Sequence, residues 1–248
     1  SDVCSSDLCS RAFFIPKKES SSVRLIVDYR ALNACSTRVG YPFSSSESIF
    51  RTIPESALVF LSFDLLMSYW QLQVHEDDIG YLAYLLPSGK WTLTRGPMGW
   101  LGSGDELNIS SRCLLLGLES AKKILDDILL HASSLKEAYL LGSRLMMNAI
   151  MKGWVFSTRK ARISNKVVFC GLSLEADKDR QVSILPEINR IQALTELPSP
   201  TTRKDAQSLI GILVSFSKWV PGMSKLMKNM KMATMPGTHF CWTSEMED

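Results

Sequence analysis

Two adjacent carboxylates, Asp126 and Asp127, lie inside the apolar run KKILDDILLHA, residues 122–132. They repel each other, and neither can be buried while ionised without a partner, because desolvating a carboxylate costs several kcal/mol. Taken alone, such a pair is more often a solvated turn than a site. A second acidic locus shifts the weight. Asp64 ends the apolar run ALVFLSFDLL, residues 57–66, and precedes Asp126 by 62 positions. A helix and a hairpin in between would let two strands lie side by side, with Asp64, Asp126 and Asp127 at one end. Three clustered carboxylates call for a divalent cation, and hard oxygen ligands favour magnesium. Two magnesium ions roughly 4 Å apart serve in-line phosphoryl transfer, one activating a hydroxyl and the other stabilising the leaving pyrophosphate.

The elements that must position these groups are legible as patterns. Residues 11–33, RAFFIPKKESSSVRLIVDYRALN, read as a strand, a polar turn at KKESSS and a second strand. SSSESIFRTI reads as a short amphipathic helix behind Pro42, and the 57–66 run as a buried strand. YLAYLLPSGKWTLTR is expected to form a hairpin with Pro87, Ser88 and Gly89 at its bend. KKILDDILLHA reads as a second hairpin with the Asp pair at its turn. A helix is expected over 135–152, opened by a Ser134–Glu137 capping box and stopped at Gly153. KVVFCGLSL, residues 166–174, reads as one strand. Beyond a boundary near 176–185, residues 197–230 read as two helices broken at Pro221–Gly222.

Bulk properties bound the function class. The 248 residues are 46% hydrophobic and 21% charged, enough for a sizeable core and one to three subdomains. No stretch approaches the roughly 20 apolar residues of a membrane span, so no membrane partner is expected. The six cysteines form no CxxC pair and read as reduced thiols of an intracellular protein. Residues 1–8 contain DVCSSDL, which reads as the translation of a common sequencing adapter and is set aside as non-native. Without Asp2 and Asp7, 28 basic residues face 23 acidic ones, a net charge of +5 that permits a polyanionic partner. The chain is expected to be a fragment of something longer, cut at both ends.

Six blocks then follow one another in order: FFIPKK…VRLIVDYRALN, FDLLMSYWQLQV, RGPMGWLGSGDELN, ILDDIL, VVFCGLSL and LPSPTTRKDAQSLIGILVSFSKWVPGMSKL. Together they resemble the reverse transcriptase of gypsy-type LTR retrotransposons, within the wider retroviral-like polymerase family, over roughly residues 11–242. The resemblance implies an α+β right-hand polymerase fold: β-rich fingers (9–40 and 75–98), an antiparallel-sheet palm with helices behind it (41–74 and 99–175) and a helical thumb (176–242). Residues 243–248 would begin a connection to ribonuclease H.

The resemblance also implies roles. Asp64 and Asp126 match the two catalytic metal aspartates. The Leu65 carbonyl would be a further metal ligand, and Asp127 a less direct one. Two Mg2+ ions, or Mn2+ in their place, are the implied cofactors. Lys17 and Arg24 match the basic pair that holds the triphosphate, and Tyr69 the aromatic under the incoming sugar. Met98 and Gly99 fall in the nucleotide pocket, and Lys160 matches a lysine suggested to protonate pyrophosphate. Phe169, Cys170 and Gly171 match the turn that grips the primer end, and Gln207 and Gly211 the thumb helix along the primer strand.

Each of these side chains alone would more often be core or solvated surface; their joint register singles them out. His75 and His131 lack partners at ligand spacing and are expected to be structural. Three departures bear on activity rather than fold: Ile124 stands where the family has an aromatic, Ser68 where it has Gly, and DELNISSRC lacks a basic pair. The implied function is RNA-directed DNA synthesis from a primer on an RNA or DNA template with deoxynucleoside triphosphates. In the intact polyprotein, ribonuclease H and integrase would follow, and the setting would be an intracellular virus-like particle. The rivals are a catalytically inactive nucleic-acid-binding remnant and an RNA-dependent RNA polymerase.

Overall fold

The structure, a computed structural model, describes all residues except 1–5, 7, 17–21, 39, 178–180, 236, 238–239, 244–245 and 247–248, and it leaves out the side chain of Leu226. The chain divides into two compact units. One comprises Ser1–Cys170 with Glu175–Val182, the other Gly171–Leu174 with Ser183–Asp248.

The first unit opens with strands β1 (Ser10–Pro16) and β2 (Val23–Asp28), paired antiparallel from Arg11↔Asp28 to Pro16↔Val23. The turn expected at KKESSS falls largely outside the described residues. The second strand is shorter than expected, because helix α1 (Arg30–Cys35) replaces its tail. The cause is local. The Asp28 carboxylate accepts bonds from the Arg30 backbone N–H at 3.2 Å and from its guanidinium at 2.8 and 2.6 Å, which turns the chain out of the strand.

Helix α2 (Ser46–Phe50) follows, with the Ser45 side chain capping the Ser48 N–H. Then come β3 (Val59–Asp64), a 3₁₀ turn at Ser68–Gln71 and a second at Glu76–Leu82. The expected hairpin is present but short, β4 (Tyr84–Leu86) and β5 (Gly89–Trp91). β1 also pairs with β4 in parallel, so the sheet β2-β1-β4-β5 is mixed.

Helix α3 (Ser103–Ser110) leads to a 3₁₀ turn at Ser111–Leu115 and then to the hairpin β6 (Ala121–Ile124) and β7 (Asp127–Ala132). Helix α4 (Leu135–Lys152) has the expected bounds and ends on Gly153 at φ 74°. Its cap differs from the expected box. Ser134 Oγ accepts the Glu137 N–H, but the Glu137 carboxylate accepts from Ser133 N and Oγ at 2.7 and 2.6 Å. The neighbouring serine offers two donors where Ser134 would have offered one.

β8 (Arg162–Ser164) completes an antiparallel sheet of order β6-β7-β3-β8. The single strand expected over 166–174 is instead β9 (Lys166–Phe169) and β10 (Leu172–Ala176). Cys170 and Gly171 both have positive φ, 50° and 74°, and two such residues in succession reverse a chain rather than extend it.

Side-chain alternation in β3 and β7 decides what the sheet presents on each face. Val59, Leu61 and Phe63 lie opposite Ala132, Leu130 and Ile128. All six are buried in one core with Leu107, Leu114, Leu145 and Ala149 from the helical segments. Leu61 has no exposed surface, and its Cδ2 would meet a Cβ placed on Gly142 at 3.1 Å. Leu61→Ala is therefore expected to cost about 2–5 kcal/mol of unfolding free energy, because it opens a cavity in a fully buried contact between β3 and α4. A urea titration reads this directly, and a loss below about 1 kcal/mol would show that the packing relaxes.

The second unit carries β11 (Val182–Pro186), α5 (Ile188–Thr195), α6 (Arg203–Phe216), α7 (Met223–Leu226) and α8 (Lys228–Ala233). β11 and α5 add to the expected helix pair, whose second member is split in two. The break occurs where expected, with Gly222 at φ 79°. α6 starts on a reciprocal capping box, Thr202 with Asp205. Trp219 Nε1 ties the end of the helical segment to the Ile184 carbonyl at 3.0 Å.

Candidate active site

The register of β3 against β7 sets Asp64 directly opposite Asp127, on the face that alternates away from the helix-packed core. Asp126 occupies the hairpin turn, and its carbonyl accepts the Leu65 N–H at 3.0 Å. Leu65 is buried and bridges Phe156, while the Asp64 carbonyl accepts from Ser157 N at 2.8 Å. The backbone around both acidic loci is thereby tied down on two sides. Leu125, just before the pair, is held at φ 53°, a left-handed conformation that a leucine adopts only when its surroundings impose it.

Lys160 Nζ reaches the Asp64 carboxylate at 2.8 Å, across 96 residues of sequence. That bond, with the charges of all three aspartates, raises the Lys160 pKa and keeps the ammonium protonated. Asp126 is pushed up by burial and by the Asp64 charge. Asp127 is pushed up to about 6 by burial and by the charges of Asp126 and Asp64. The site therefore holds more negative charge than its own cations offset. Among the described residues, however, no three His, Cys, Asp or Glu side chains are arranged to ligate an ion. The expected trio is present as an adjacent pair with Asp64 opposite, its carboxylate engaged by a lysine. The donor chemistry, hard carboxylate oxygens gathered at one end of two paired strands, is of the kind that suits a divalent cation.

The shift at Asp127 has a sign that can be tested. A carboxyl whose folded pKa lies above its unfolded one favours the fold while protonated. Its contribution is complete below about pH 4 and is lost as pH rises through about 6. The melting temperature of the wild type should fall relative to that of Asp127→Asn across this window, since the amide keeps the shape and never ionises. Parallel melting curves from pH 4 to 7 would show instead that Asp127 is solvated.

The other expected site residues divide. Tyr69, in the Ser68–Gln71 turn, is half-buried, and the Asp126 charge acts on its hydroxyl, which adds to burial in raising its pKa. It stands near the Asp126 carboxylate. Cys170 is brought there too: burial and the charges of Asp127 and Asp126 push its thiol up to about 11. Phe169 is buried in edge contact with Phe50, so its ring is a core group. Met98 is exposed at the surface, and Gly99 has φ 96°. Arg24 is exposed on β2 opposite Ile15, and no ion pair among the described residues links it to the carboxylates. Lys17 lies outside the described residues.

In the second unit, Gly171 has φ 74°, a left-handed conformation that favours glycine, and the Arg190 guanidinium packs over it. Gln207 and Gly211 lie exposed one turn apart on α6.

Three supports escaped sequence reasoning. Asn33 donates to the Gly99 carbonyl at 2.9 Å and accepts the Leu101 N–H at 2.8 Å, so one side chain splints the PMGW loop. Asp105, 3% exposed, accepts both Nε and Nη2 of Arg38 at 2.7 and 3.0 Å and the Tyr41 N–H at 3.3 Å. Gly96 admits the Tyr69 turn, since a Cβ there would stand 2.7 Å from the Tyr69 carbonyl. Only the alternation of β6, which turns Lys123 inward, offered a signal for the buried lysine discussed below.

No protein-family model matches the chain. The chain is 22% identical over 235 residues to the enzymatic polyprotein of cauliflower mosaic virus (strain Strasbourg), covering 92% of this chain and 33% of that protein. It is 24% identical over 229 residues to the retrovirus-related Pol polyprotein from transposon 297 of Drosophila melanogaster, covering 89% of this chain and 21% of that one. The chain thus spans a third or less of the length of these relatives. Its backbone superposes on a foamy viral protease-reverse transcriptase in complex with double-stranded DNA with a TM-score of 0.88, at 21% identity, over 99% of this chain and 43% of that one. The same viral protein in complex with an RNA/DNA hybrid gives a TM-score of 0.85 at 22% identity, over 98% and 32%. The fold is that of a reverse transcriptase. Its α+β organisation with antiparallel sheets agrees with the expected polymerase class, and the relatives are polyproteins of viruses and a transposon. No helix among the described residues is long and apolar enough to cross a membrane.

Proposed function

We propose that the chain is the polymerase segment of a gypsy-type retrotransposon polyprotein and catalyses RNA-directed DNA synthesis. The observation that carries the reading is the register Asp64↔Asp127 with Asp126 adjoining, at the end of a sheet within a reverse-transcriptase fold. Asp64, the Leu65 carbonyl, Asp126 and Asp127 would hold two Mg2+ ions, or Mn2+, which when bound supply charge neutralisation for the attacking hydroxyl and the departing pyrophosphate.

The chain's own residues do the rest. Lys160, kept protonated by Asp64, is a proton donor at the site where pyrophosphate leaves. Tyr69 packs beneath the sugar and excludes a 2′-hydroxyl. Arg24, with Lys17, offers charge-assisted bonds to the triphosphate. Met98 and Gly99, on the loop splinted by Asn33, line the nucleotide pocket. Cys170 and Gly171 hold the primer end, and Gln207 and Gly211 follow the primer strand along α6. An RNA or DNA template with its primer, bound mainly through phosphates, is the macromolecular partner. Ribonuclease H and integrase would be covalent neighbours, in an intracellular particle of the element.

A primer-extension assay tests this, with Mg2+ or Mn2+, on an oligo(dT)-primed poly(rA) template and a DNA template, offering deoxy- and ribonucleotides separately. Metal-dependent addition of deoxynucleotides on RNA is the expected result. Binding of the primer–template without addition in either metal would overturn it in favour of an inactive remnant. Preferential ribonucleotide addition would overturn it in favour of an RNA-synthesising enzyme.

A further inference from the structure

Alternation in β6 sends Ala121 and Lys123 to the buried side, where Lys123 is only 9% exposed. A buried ammonium is costly unless bonded. Lys123 Nζ has two partners: the side-chain oxygen of Asn108, itself buried on α3, and the Leu125 carbonyl at 3.3 Å. Leu125 is the residue held at φ 53°, and its carbonyl belongs to the peptide that enters Asp126. The orientation of that peptide plane sets the direction in which the Asp126 side chain leaves the turn. The Asp126 charge also attracts the ammonium, while Arg112 opposes it.

We propose that Lys123 is a positioning residue of the active site: anchored by Asn108, its ammonium holds the Leu125 carbonyl and thereby keeps the left-handed turn that presents Asp126. A lysine placed only to fill space would be replaceable by an apolar side chain of equal length. A positioning lysine is not, because an apolar group leaves the Leu125 carbonyl without its donor and the strained φ without its restraint. The consequence for catalysis rests on the function proposed above; the consequence for the turn does not.

The test uses Lys123→Met and Asn108→Leu beside the wild type, with three readouts. Melting temperature should change little in Lys123→Met, since relief of a buried charge offsets the two acceptors left without a donor, so that a large fall would mark general unfolding rather than a loosened turn. Amide hydrogen exchange over residues 124–128 should quicken about tenfold in both variants, the scale of one lost hydrogen bond to a charged group. Single-turnover incorporation should fall between about tenfold and a hundredfold, as for a misplaced reacting group, with primer–template Kd and nucleotide KM unchanged. Lys123→Arg, which keeps a donor and the charge, should recover part of the rate. Exchange at wild-type rates in both variants would overturn the proposal, as would faster exchange with undiminished incorporation. If the wild type incorporates nothing, the polymerase reading falls, and hydrogen exchange alone decides whether Lys123 holds the turn.

Discussion

Asp126→Asn is expected to reduce nucleotide incorporation by on the order of 10³-fold or more, while primer–template affinity stays within about twofold of the wild type. The amide has the shape of the carboxylate but lacks the charge that would hold a divalent cation, and that cation's stabilisation of developing charge is worth several kcal/mol. Affinity is expected to survive because, on the proposed function, it would rest on phosphate contacts from basic residues, which fall steeply with salt rather than with one acidic residue. The structure adds a second consequence. Asp126 contributes to raising Asp127, so its neutralisation should let Asp127 ionise at lower pH. Filter binding and single-turnover extension on the same preparations separate the effects. Extension at the wild-type rate by Asp126→Asn would remove the basis for assigning metal chemistry to this hairpin.

Tyr69→Ala is expected to raise ribonucleotide incorporation relative to deoxynucleotide incorporation by about ten- to a hundredfold. A pocket that makes no hydrogen bond to an extra hydroxyl tolerates it readily, so rejection must come from overlap with a rigid group. Forcing an added atom into a filled site costs about 1–3 kcal/mol, which sets the scale of the change. Tyr69 is suited to the task because its 3₁₀ turn is fixed between the left-handed Met67 and the close approach of Gly96. It also packs against the core of the first unit, so a loss of activity alone says nothing about selectivity. The ratio of the two single-turnover rates is what discriminates. If both rates drop together and the ratio holds, Tyr69 is a core residue and the assignment to DNA synthesis weakens.

Local patterns in the sequence were enough to place the acidic residues at the ends of their elements. The run 57–66 is nearly all apolar and holds a strand paired on both sides, and KKILDDILLHA became a hairpin that turns at Leu125 and Asp126, one residue earlier than expected, with Asp127 opening its second strand. Ser134 and Gly153 marked both ends of α4 because capping and left-handed termination depend on residues within one turn of the helix. The same locality explains the misses. The strand β2 stops at Asp28 because a side chain bonds the backbone two residues on, an option that propensity does not weigh. VVFCGLSL reads as continuous because its composition suits a strand, yet Cys170 adopts a left-handed φ that composition does not disfavour strongly enough to reveal.

Tertiary structure decided everything that joins distant segments. That Asp64 faces Asp127 follows from a strand register set by which residues of β3 and β7 can share the helix-packed core, and a slip by one residue would turn the carboxylates to the opposite face. Lys160 was singled out only by the resemblance, since by itself it is one of three basic residues in Arg159–Arg162; its bond to Asp64 across 96 residues is made by the fold. Lys123 reads as one of two adjacent lysines until Asn108 and the Leu125 carbonyl close around it. Periodicity and caps are encoded within a few residues, whereas the pairing of groups far apart in the chain is selected by packing summed over the whole domain, which no short window of sequence contains.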